Sequence, residues 1–177
     1  FAICSGQNVR QVRAIVDALE KSAADGHEAV AHELSRAALM GARGNSGVIF
    51  SQIVRGFADV LGQSDPINEA DSIDGPGIAR AFRTASDAAY RAVRRPVEGT
   101  MLTVIREMAE AAESPEAREL DRLELLTLIV ARGEESLART PDLLAVLKEA
   151  GVVDAGGAGL LEIIRGVRAA VAGEPVP

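Results

Sequence analysis

The sequence predicts an all-α fold, and three observations support that prediction. Apolar residues recur at intervals of three and four along nearly the whole chain, which is the spacing of one helix face. Alternating polar and apolar patterns long enough for strands are absent from the sequence. Prolines and small polar residues fall between the periodic segments, where helix ends are expected. A chain of 177 residues is the size of one ordinary domain, so we expect a single domain of about eight helices.

The predicted helices can be placed in chain order from their apolar faces. The first three carry these faces, in turn: Val9, Val12, Ile15, Val16 and Leu19; Val30, Leu34, Ala37 and Ala38; Val48, Ile53, Val54, Phe57 and Leu61. Five further helices are predicted near residues 78–93, 100–112, 120–137, 142–150 and 157–171. Residues 62–77, rich in glycine, aspartate and proline, are predicted to form the longest surface loop.

Two dipeptides predict helix starts. Ser114-Pro115 and Thr140-Pro141 each place a hydroxyl before a proline. A hydroxyl side chain caps the free amides of a first helical turn, and proline fits the first helical position because it has no amide hydrogen to satisfy. We therefore expect one helix to begin after Ser114 and another after Thr140.

The charge balance argues against a nucleic-acid-binding protein. The formal net charge is −7, whereas neutralising a phosphate backbone requires a cationic surface. The chain has no Trp, one Tyr and four Phe, so it offers few rings on which bases could stack. A core of Leu, Val, Ile and Ala can either fill completely or leave an apolar slot for an alkyl chain, and composition does not choose between the two.

Cysteine usage and the chain start bear on the cellular setting. The single cysteine, Cys4, excludes an internal disulfide and a multi-cysteine zinc site. Apolar runs such as residues 125–131 are too short to span a bilayer, and no signal peptide is visible after Phe1. These features favour a cytoplasmic protein. Because the chain begins without Met, we expect it to be incomplete at its N-terminus.

Two glycine-rich clusters are the first candidate binding segments. They cover residues 41–47 and 151–159, and each leads into an apolar helical run. Glycine lets backbone amides approach a ligand closely, and the start of a helix carries the positive end of the helix dipole. The clusters therefore suit an anion, with Asn45 and Ser46 able to add side-chain hydrogen bonds. They are equally consistent with tight helix–helix turns in which glycine only permits close packing.

A third segment, residues 94–102, joins a proline turn to a helix start. Thr100 is placed to cap that helix, and Met101 follows as a soft apolar side chain suited either to a flat ring or to ordinary core filling. His27 and His32 are expected at the surface or at an edge, since their spacing puts them on different helix faces. The acidic run over residues 116–124 is expected to be a solvated helix face.

Three long blocks in the same order resemble the DAK2 domain of dihydroxyacetone-kinase-L-like proteins, closest to the kinase subunit of bacterial fatty acid kinase. They are residues 40–52 (Met-Gly-Ala-Arg-Gly-Asn-Ser-Gly-Val-Ile-Phe-Ser-Gln), residues 92–104 with the stretch Arg-Arg-Pro-Val-Glu-Gly-Thr-Met-Leu, and residues 140–160 with Val-Val-Asp-Ala-Gly-Gly-Ala-Gly-Leu. The resemblance extends over essentially the whole chain.

The resemblance implies a fold and an activity. The fold is an all-α barrel of about eight antiparallel helices (DhaL-like), with ATP or ADP at one rim. Two Mg²⁺ ions are bound by a loop that reads Asp-x-Asp-Thr-Gly-x-Asn. The γ-phosphate passes to a fatty acid carboxylate presented by a separate fatty-acid-binding protein (DegV-like). The barrel core of relatives can hold lipid, and a homodimer is a further expectation.

By position, the resemblance assigns nucleotide contacts to three groups of residues. The phosphates are assigned to the helix start formed by Gly44, Asn45, Ser46 and Gly47. The adenine is assigned to Thr100 and Met101, and the other side of the nucleotide to Asp154, Ala155 and Gly156, with Arg139 nearby.

The metal loop departs from the family pattern. Ser5, Gly6 and Asn8 stand where the loop has its Thr, Gly and Asn, so the two aspartates should fall at Ala2 and Cys4. Alanine has no ligand atom, and a thiol is a poor partner for a hard ion that prefers oxygen. A disturbed or truncated N-terminus is the explanation we favour. A natural non-catalytic member and a register in which the aspartates precede Phe1 are the alternatives.

Three functions are consistent with these features of the sequence. The first is an ATP-dependent kinase domain acting on a fatty acid. The second, of a different class, is a non-catalytic lipid-binding or scaffold module with a degenerate metal loop. The third is a dihydroxyacetone kinase subunit.

Overall fold

The computed structural model of the protein describes residues 27–62 and 73–175. Within these ranges there are seven α-helices, one short 3₁₀ turn and no strand, which confirms the all-α prediction. The helices are α1 His27–Gly41, α2 Gly44–Leu61, α3 Gly75–Arg91, α4 Met101–Ala112, α5 Arg122–Leu143, α6 Ala145–Ala150 and α7 Ala155–Ala172, and the turn is Glu116–Glu119. The helix predicted from Val9 to Leu19 lies outside the described residues, and barrel closure stays a prediction.

The chain divides into two compact units. Among the described residues, the first unit contains 27–62, Ile73 and Thr84–Arg94, and the second contains Asp74–Arg83 and 95–175. The boundary falls inside α3, whose first half belongs to the second unit. The prediction of a single functional domain stays a prediction.

In the first unit, the helices approach one another through small residues. Helices α1 and α2 pack together, and α2 also meets the second half of α3 at Gly56. A Cβ atom at Gly56 would overlap the backbone of Ala85 and lie 2.8 Å from the carbonyl oxygen of Thr84. Ala85 itself is fully buried. This crossing therefore requires a glycine, because the two helix backbones touch directly.

The core of the second unit is formed by α4, α5 and α7, which pack on one another. Helix α4 buries nine of its twelve residues and is the most enclosed of the three. Its partners supply Leu125 and Ile129 from α5 and Leu160 from α7, all nearly inaccessible to solvent. At Gly133 on α5 an added Cβ would overlap Met108 of α4, so the methionine occupies the space that glycine leaves. Burial of these aliphatic side chains is the main stabilising contribution to the unit.

Helix starts in the second unit other than that of α6 carry side-chain caps. The Ser114 hydroxyl accepts a hydrogen bond from the amide of Ala117 at 3.3 Å, as expected of a cap. The helix predicted to begin after Ser114 is wrong, since only a short 3₁₀ turn follows, from Glu116 with Pro115 at its N-cap position. Asp121 and Glu124 form a reciprocal capping box at the start of α5. Both are exposed, as are Glu116 and Glu119, which confirms the predicted solvated face. His32 is exposed as predicted, with 76% of its side chain accessible.

The predicted helix start at Thr140-Pro141 is wrong. Helix α5 continues through Pro141 to Leu143, and α6 begins only at Ala145. Proline inside a helix leaves the carbonyl four residues earlier without its amide partner. Here that carbonyl belongs to Leu137, and the Thr140 hydroxyl donates to it at 2.7 Å. The side chain replaces the missing backbone hydrogen bond, and this allows the helix to continue.

Other boundaries differ by a few residues. Helix α3 begins at Gly75, with the Asp74 carboxylate accepting from the amide of Gly77 at 2.8 Å, so the predicted loop over residues 62–77 ends earlier than expected. Residues 63–72 of that loop lie outside the described ranges. In the part of the chain that the structure describes, no helix is both long and apolar enough to cross a membrane.

Candidate functional site

The first glycine cluster is the short connection between α1 and α2. Gly44 has a backbone φ of +63°, a left-handed conformation that side-chain-bearing residues rarely adopt. A Cβ atom there would have no neighbour within 4 Å, so conformation and not space requires the glycine. The glycine lets the chain reverse directly from the end of α1 into the first turn of α2.

The start of α2 is polar and open to solvent. Asn45 and Ser46 are exposed, whereas Gly47 is buried. The preceding Arg43 gives α2 no side-chain cap, because a guanidinium has no acceptor atom for the amides of the first turn. The guanidinium donates to the carbonyl oxygens of Met40 and Ala42 at 3.2 and 2.7 Å. A helix start with exposed side-chain donors, and with no capping side chain from Arg43, suits an anionic group.

The second glycine cluster leads into α7 and is organised around one carboxylate. Asp154 caps α7, and its Oδ2 atom accepts a hydrogen bond from the amide of Gly157 at 2.6 Å. The amides of Met101 and Gly156 also favour the ionised form of this carboxylate. Met101 is the first residue of α4, so the starts of α4 and α7 both act on Asp154. The sequence predicts that amides at the start of α7 bind an external anion. In the structure they already interact with the Asp154 carboxylate.

Burial is the main influence on the pKa of Asp154. Desolvation raises the pKa of its carboxyl group above the ordinary value, and the hydrogen bond from Gly157 and the nearby amides of Met101 and Gly156 oppose that change only in part. When ionised, this group accepts hydrogen bonds and repels negative charge. It is suited to the hydroxyl or amino groups of a ligand and unsuited to a phosphate.

Met101 lies between α4 and α7. It is only 7% exposed, and a Cβ atom added at Gly156 would come within 2.9 Å of its Cε atom. Gly156 therefore leaves room for the methionine. Thr100 caps α4 by accepting from the amide of Leu102 at 3.4 Å, which confirms its predicted structural role. Contact of Met101 with a ring stays a prediction.

Thr140 is a component of this site that the sequence analysis did not assign to it. The residue is fully buried near the C-terminal end of α5. Its hydroxyl donates to the carbonyl of Leu137 and accepts from the amide of Asp154 at 3.1 Å. The Thr140-Pro141 dipeptide is visible in the sequence, but its pattern predicts a helix start and not a buried hydrogen bond to Asp154.

The loop before α4 is held against the same end of α5. Gly99 has a φ of +80°, and an added Cβ would lie 2.9 Å from the Thr140 carbonyl oxygen. The amide of Gly99 donates at 2.8 Å to the hydroxyl of Thr103, which in turn donates to the Glu98 carboxylate at 2.7 Å. Thr103 is fully buried, so this arrangement is a fixed part of the unit.

Arg139 carries an ion pair. Its guanidinium lies 2.5 Å from the carboxylate of Glu107 on α4, whose side chain is 13% exposed. Arg106 lies 3.7 Å from the same carboxylate and 3.1 Å from Glu98. An anionic ligand at Arg139 would have to compete with Glu107.

The structure groups the predicted site residues unit by unit. The first unit holds the consecutive residues Gly44 to Gly47, and the second brings Met101, Asp154 and Gly156 together. In the chain, Thr100 is next to Met101, Ala155 is next to Asp154, and Arg139 is next to Thr140. Ser5, Gly6 and Asn8, and the expected metal positions Ala2 and Cys4, lie outside the described residues. Over residues 27–62 and 73–175 there is no group of three His, Cys, Asp or Glu side chains that would hold a metal ion.

A surface groove in the second unit is separate from these residues. It has a volume of about 500 Å³ and is lined by α5, α7 and Pro175. Its cations are paired, Arg165 with Glu134 at 2.6 Å and Arg168 with Glu174 at 2.6 Å. None of its lining residues belongs to the predicted site.

The described residues define an all-α fold with glycine-rich helix starts that position polar groups. The DAK2 domain family model matches residues 5–169, and the chain belongs to this kinase-related family. The matched range begins after Ala2 and Cys4.

The chain is also similar to curated bacterial proteins over most of its length. The chain is 45% identical over 148 residues to Protein YloV of Bacillus subtilis (strain 168), an alignment that covers 84% of this chain and 26% of that protein. It is 46% identical over 142 residues to uncharacterized proteins of Staphylococcus aureus strains USA300 and NCTC 8325, covering 80% of this chain and 25% of each. The chain thus spans about a quarter of the length of the curated relatives it matches.

Proposed function

We propose that this chain is the nucleotide-binding part of a kinase that transfers the γ-phosphate of ATP to a fatty acid carboxylate. Membership of a kinase-related family supports the reaction class. The observation that carries the proposal is the polar, exposed start of α2 after the left-handed Gly44, where Asn45 and Ser46 can donate to phosphate oxygens.

The two glycine clusters differ in the ligand groups that they suit. The start of α2 has exposed donors and no side-chain cap from Arg43, so it suits the phosphates. The start of α7 is capped by Asp154, so it suits the neutral donors of the ribose or the adenine amino group. Met101 beside Gly156 supplies an apolar surface for the adenine.

In the proposed transfer, a carboxylate oxygen of the fatty acid forms a bond to the γ-phosphorus. The bond from that phosphorus to the β–γ bridging oxygen breaks. The products are an acyl phosphate and ADP. Such transfers depend mainly on positioning and on stabilising the charge of the phosphoryl oxygens.

The residues present do not fit the magnesium pair of the family. The expected ligand positions hold Ala2 and Cys4, neither of which offers an oxygen side chain. The described residues supply no replacement cluster. We therefore derive no step through magnesium.

The choice of substrate follows from the resemblance. The residue types at 43–46 and 96–99 resemble those of the fatty acid branch more than those of dihydroxyacetone kinase subunits. We propose a separate DegV-like fatty-acid-binding protein as the partner that presents the carboxylate, a cytoplasmic location, and a homodimer. The aliphatic composition also suits a bound lipid within the fold.

Isothermal titration of the protein with ADP tests the proposal. We expect binding, and we expect Ser46→Ala to weaken it by about 1–3 kcal/mol because a phosphate oxygen loses a charge-assisted hydrogen bond. Ser35→Ala, a substitution on α1 outside the glycine cluster, serves as the matched control. Absence of ADP binding with and without Mg²⁺ would reject the kinase assignment, and an unchanged affinity in Ser46→Ala would remove Ser46 from the site.

A non-catalytic lipid-binding module is the second candidate, favoured by Ala2 and Cys4 at the expected metal positions. Native mass spectrometry of freshly purified protein distinguishes the two. Co-purifying acyl chains in a protein without affinity for ADP would support the second candidate.

A further inference from the structure

We infer that Thr140 is a positioning residue, whose buried hydroxyl sets the start of α7 and thereby places Asp154 for the adenosine side of the nucleotide. The inference rests on the proposed function. Thr140 itself is fully buried and does not reach the surface where a ligand would bind. Its role is therefore to act through Asp154.

Pro141 determines the acceptor to which the Thr140 hydroxyl donates its hydrogen. Proline has no amide hydrogen for the Leu137 carbonyl, and the Thr140 hydroxyl supplies one at 2.7 Å. This bond orients the hydroxyl within α5. Its lone pairs then face away from the helix backbone and are available to another element.

The acceptor side of the hydroxyl holds the residue that begins α7. The amide of Asp154 donates to Thr140 at 3.1 Å, across fourteen positions of the chain. Because Asp154 is the N-cap, its own amide has no partner within α7. Without Thr140 that amide would lose this acceptor, and a buried donor without a partner would destabilise the start of α7.

Thr140 also meets the element that leads into α4. Its carbonyl oxygen lies 2.9 Å from the position that a Cβ atom would occupy at Gly99. The loop before α4 therefore rests on the same turn of α5 that holds Asp154. One buried threonine therefore contacts both the residue that begins α7 and the loop that leads into α4.

The test compares two substitutions of Thr140 with a matched core variant. Thr140→Val keeps the branched shape and removes the hydroxyl, whereas Thr140→Ser keeps the hydroxyl. Ile129→Val, at a fully buried position of α5, controls for general loss of stability. ADP affinity is measured by titration and unfolding by urea for each protein.

We expect Thr140→Val to weaken ADP binding about tenfold, and Thr140→Ser to bind within about twofold of the wild type. Ile129→Val should keep its affinity despite lower stability. Equal affinities of the wild type and Thr140→Val, or equal losses in Thr140→Val and Ile129→Val, would overturn the inference. A wild type that does not bind ADP defeats the proposed function and, with it, this role.

Hydrogen exchange of the wild-type protein gives a measurement that needs no variant to fold. The amide of Asp154 should be protected to the same degree as those of the buried α5 core, and ADP should slow its exchange further. Exchange as fast as that of an exposed loop would overturn the inference.

Discussion

Asp154 combines two opposing influences on one carboxyl group. Burial raises its pKa, while amides from two helix starts stabilise the ionised form. A group whose pKa is higher in the folded state binds its proton more tightly there. Its contribution to stability is complete at low pH and is lost as the pH rises through the folded pKa.

This sign gives a prediction for Asp154→Asn, which keeps a capping side chain but does not titrate. As the pH rises from about 3.8, the ordinary value, through the folded pKa, the free energy of unfolding of the wild type should fall relative to the variant. Urea denaturation at a series of pH values measures the difference. If the free energy of unfolding of the wild type instead rose relative to that of the variant with increasing pH, the amide hydrogen bonds would outweigh desolvation.

Ser136 gives a second prediction for a single residue. It is 1% exposed within α5, and its hydroxyl has no hydrogen-bond partner among the described residues. Ser136→Ala removes a buried polar group without a partner and improves helix propensity, so we expect a gain of about 1 kcal/mol in urea unfolding. Ser51→Ala is the matched comparison, since the buried Ser51 hydroxyl donates to Val48 at 2.7 Å. A loss of stability in Ser136→Ala would show that its hydroxyl is satisfied.

The helices themselves are well predicted by periodicity because their apolar faces are local patterns. The sequence placed α4, α6 and α7 to within a few residues of their observed bounds. It failed at the end of α5, where a side chain of the helix replaces the hydrogen bond that proline removes. A rule based on Thr-Pro spacing cannot anticipate that replacement, because it depends on whether the threonine is buried against other elements.

Helix packing gives a prediction at Gly56 of α2. A Cβ atom there would overlap the Ala85 backbone, so Gly56→Ala should force the two helices apart and cost about 1–3 kcal/mol. Gly159→Ala on α7 is the control, since nothing lies within 4 Å of its added Cβ. Helix propensity alone should make that control more stable by about 0.5–1 kcal/mol. If both variants changed stability equally in thermal unfolding, the close approach at Gly56 would be refuted.

At the scale of the whole molecule, the sequence predicted the segments of the candidate site better than their connections. Gly44 and Asp154 were identified because glycine-rich helix starts are visible in short stretches. The contacts of Asp154 with Met101 and Thr140 join residues far apart in the chain, and no local pattern reports them. The same holds for Arg139, whose partner Glu107 lies 32 positions away.

The three family blocks divide between the two compact units. The block at residues 40–52 lies in the first unit, most of the other two lies in the second, and the pairing of their helix starts around one nucleotide stays a prediction. Hydrogen exchange with ADP tests it, because a nucleotide that uses both groups would slow amides at the starts of both α2 and α7. Protection confined to one start would limit the nucleotide to that unit.

The proline inside α5 also bears on attempts to stabilise the protein by design. Replacing Pro141 with alanine would look like a simple repair, since it restores an amide donor to the Leu137 carbonyl. The repaired backbone would then compete with the Thr140 hydroxyl for that oxygen and free the hydroxyl to rotate. A more regular α5 would thus weaken the hydrogen bond between the Asp154 amide and the Thr140 hydroxyl. Pro141 should therefore be kept in any stabilised design.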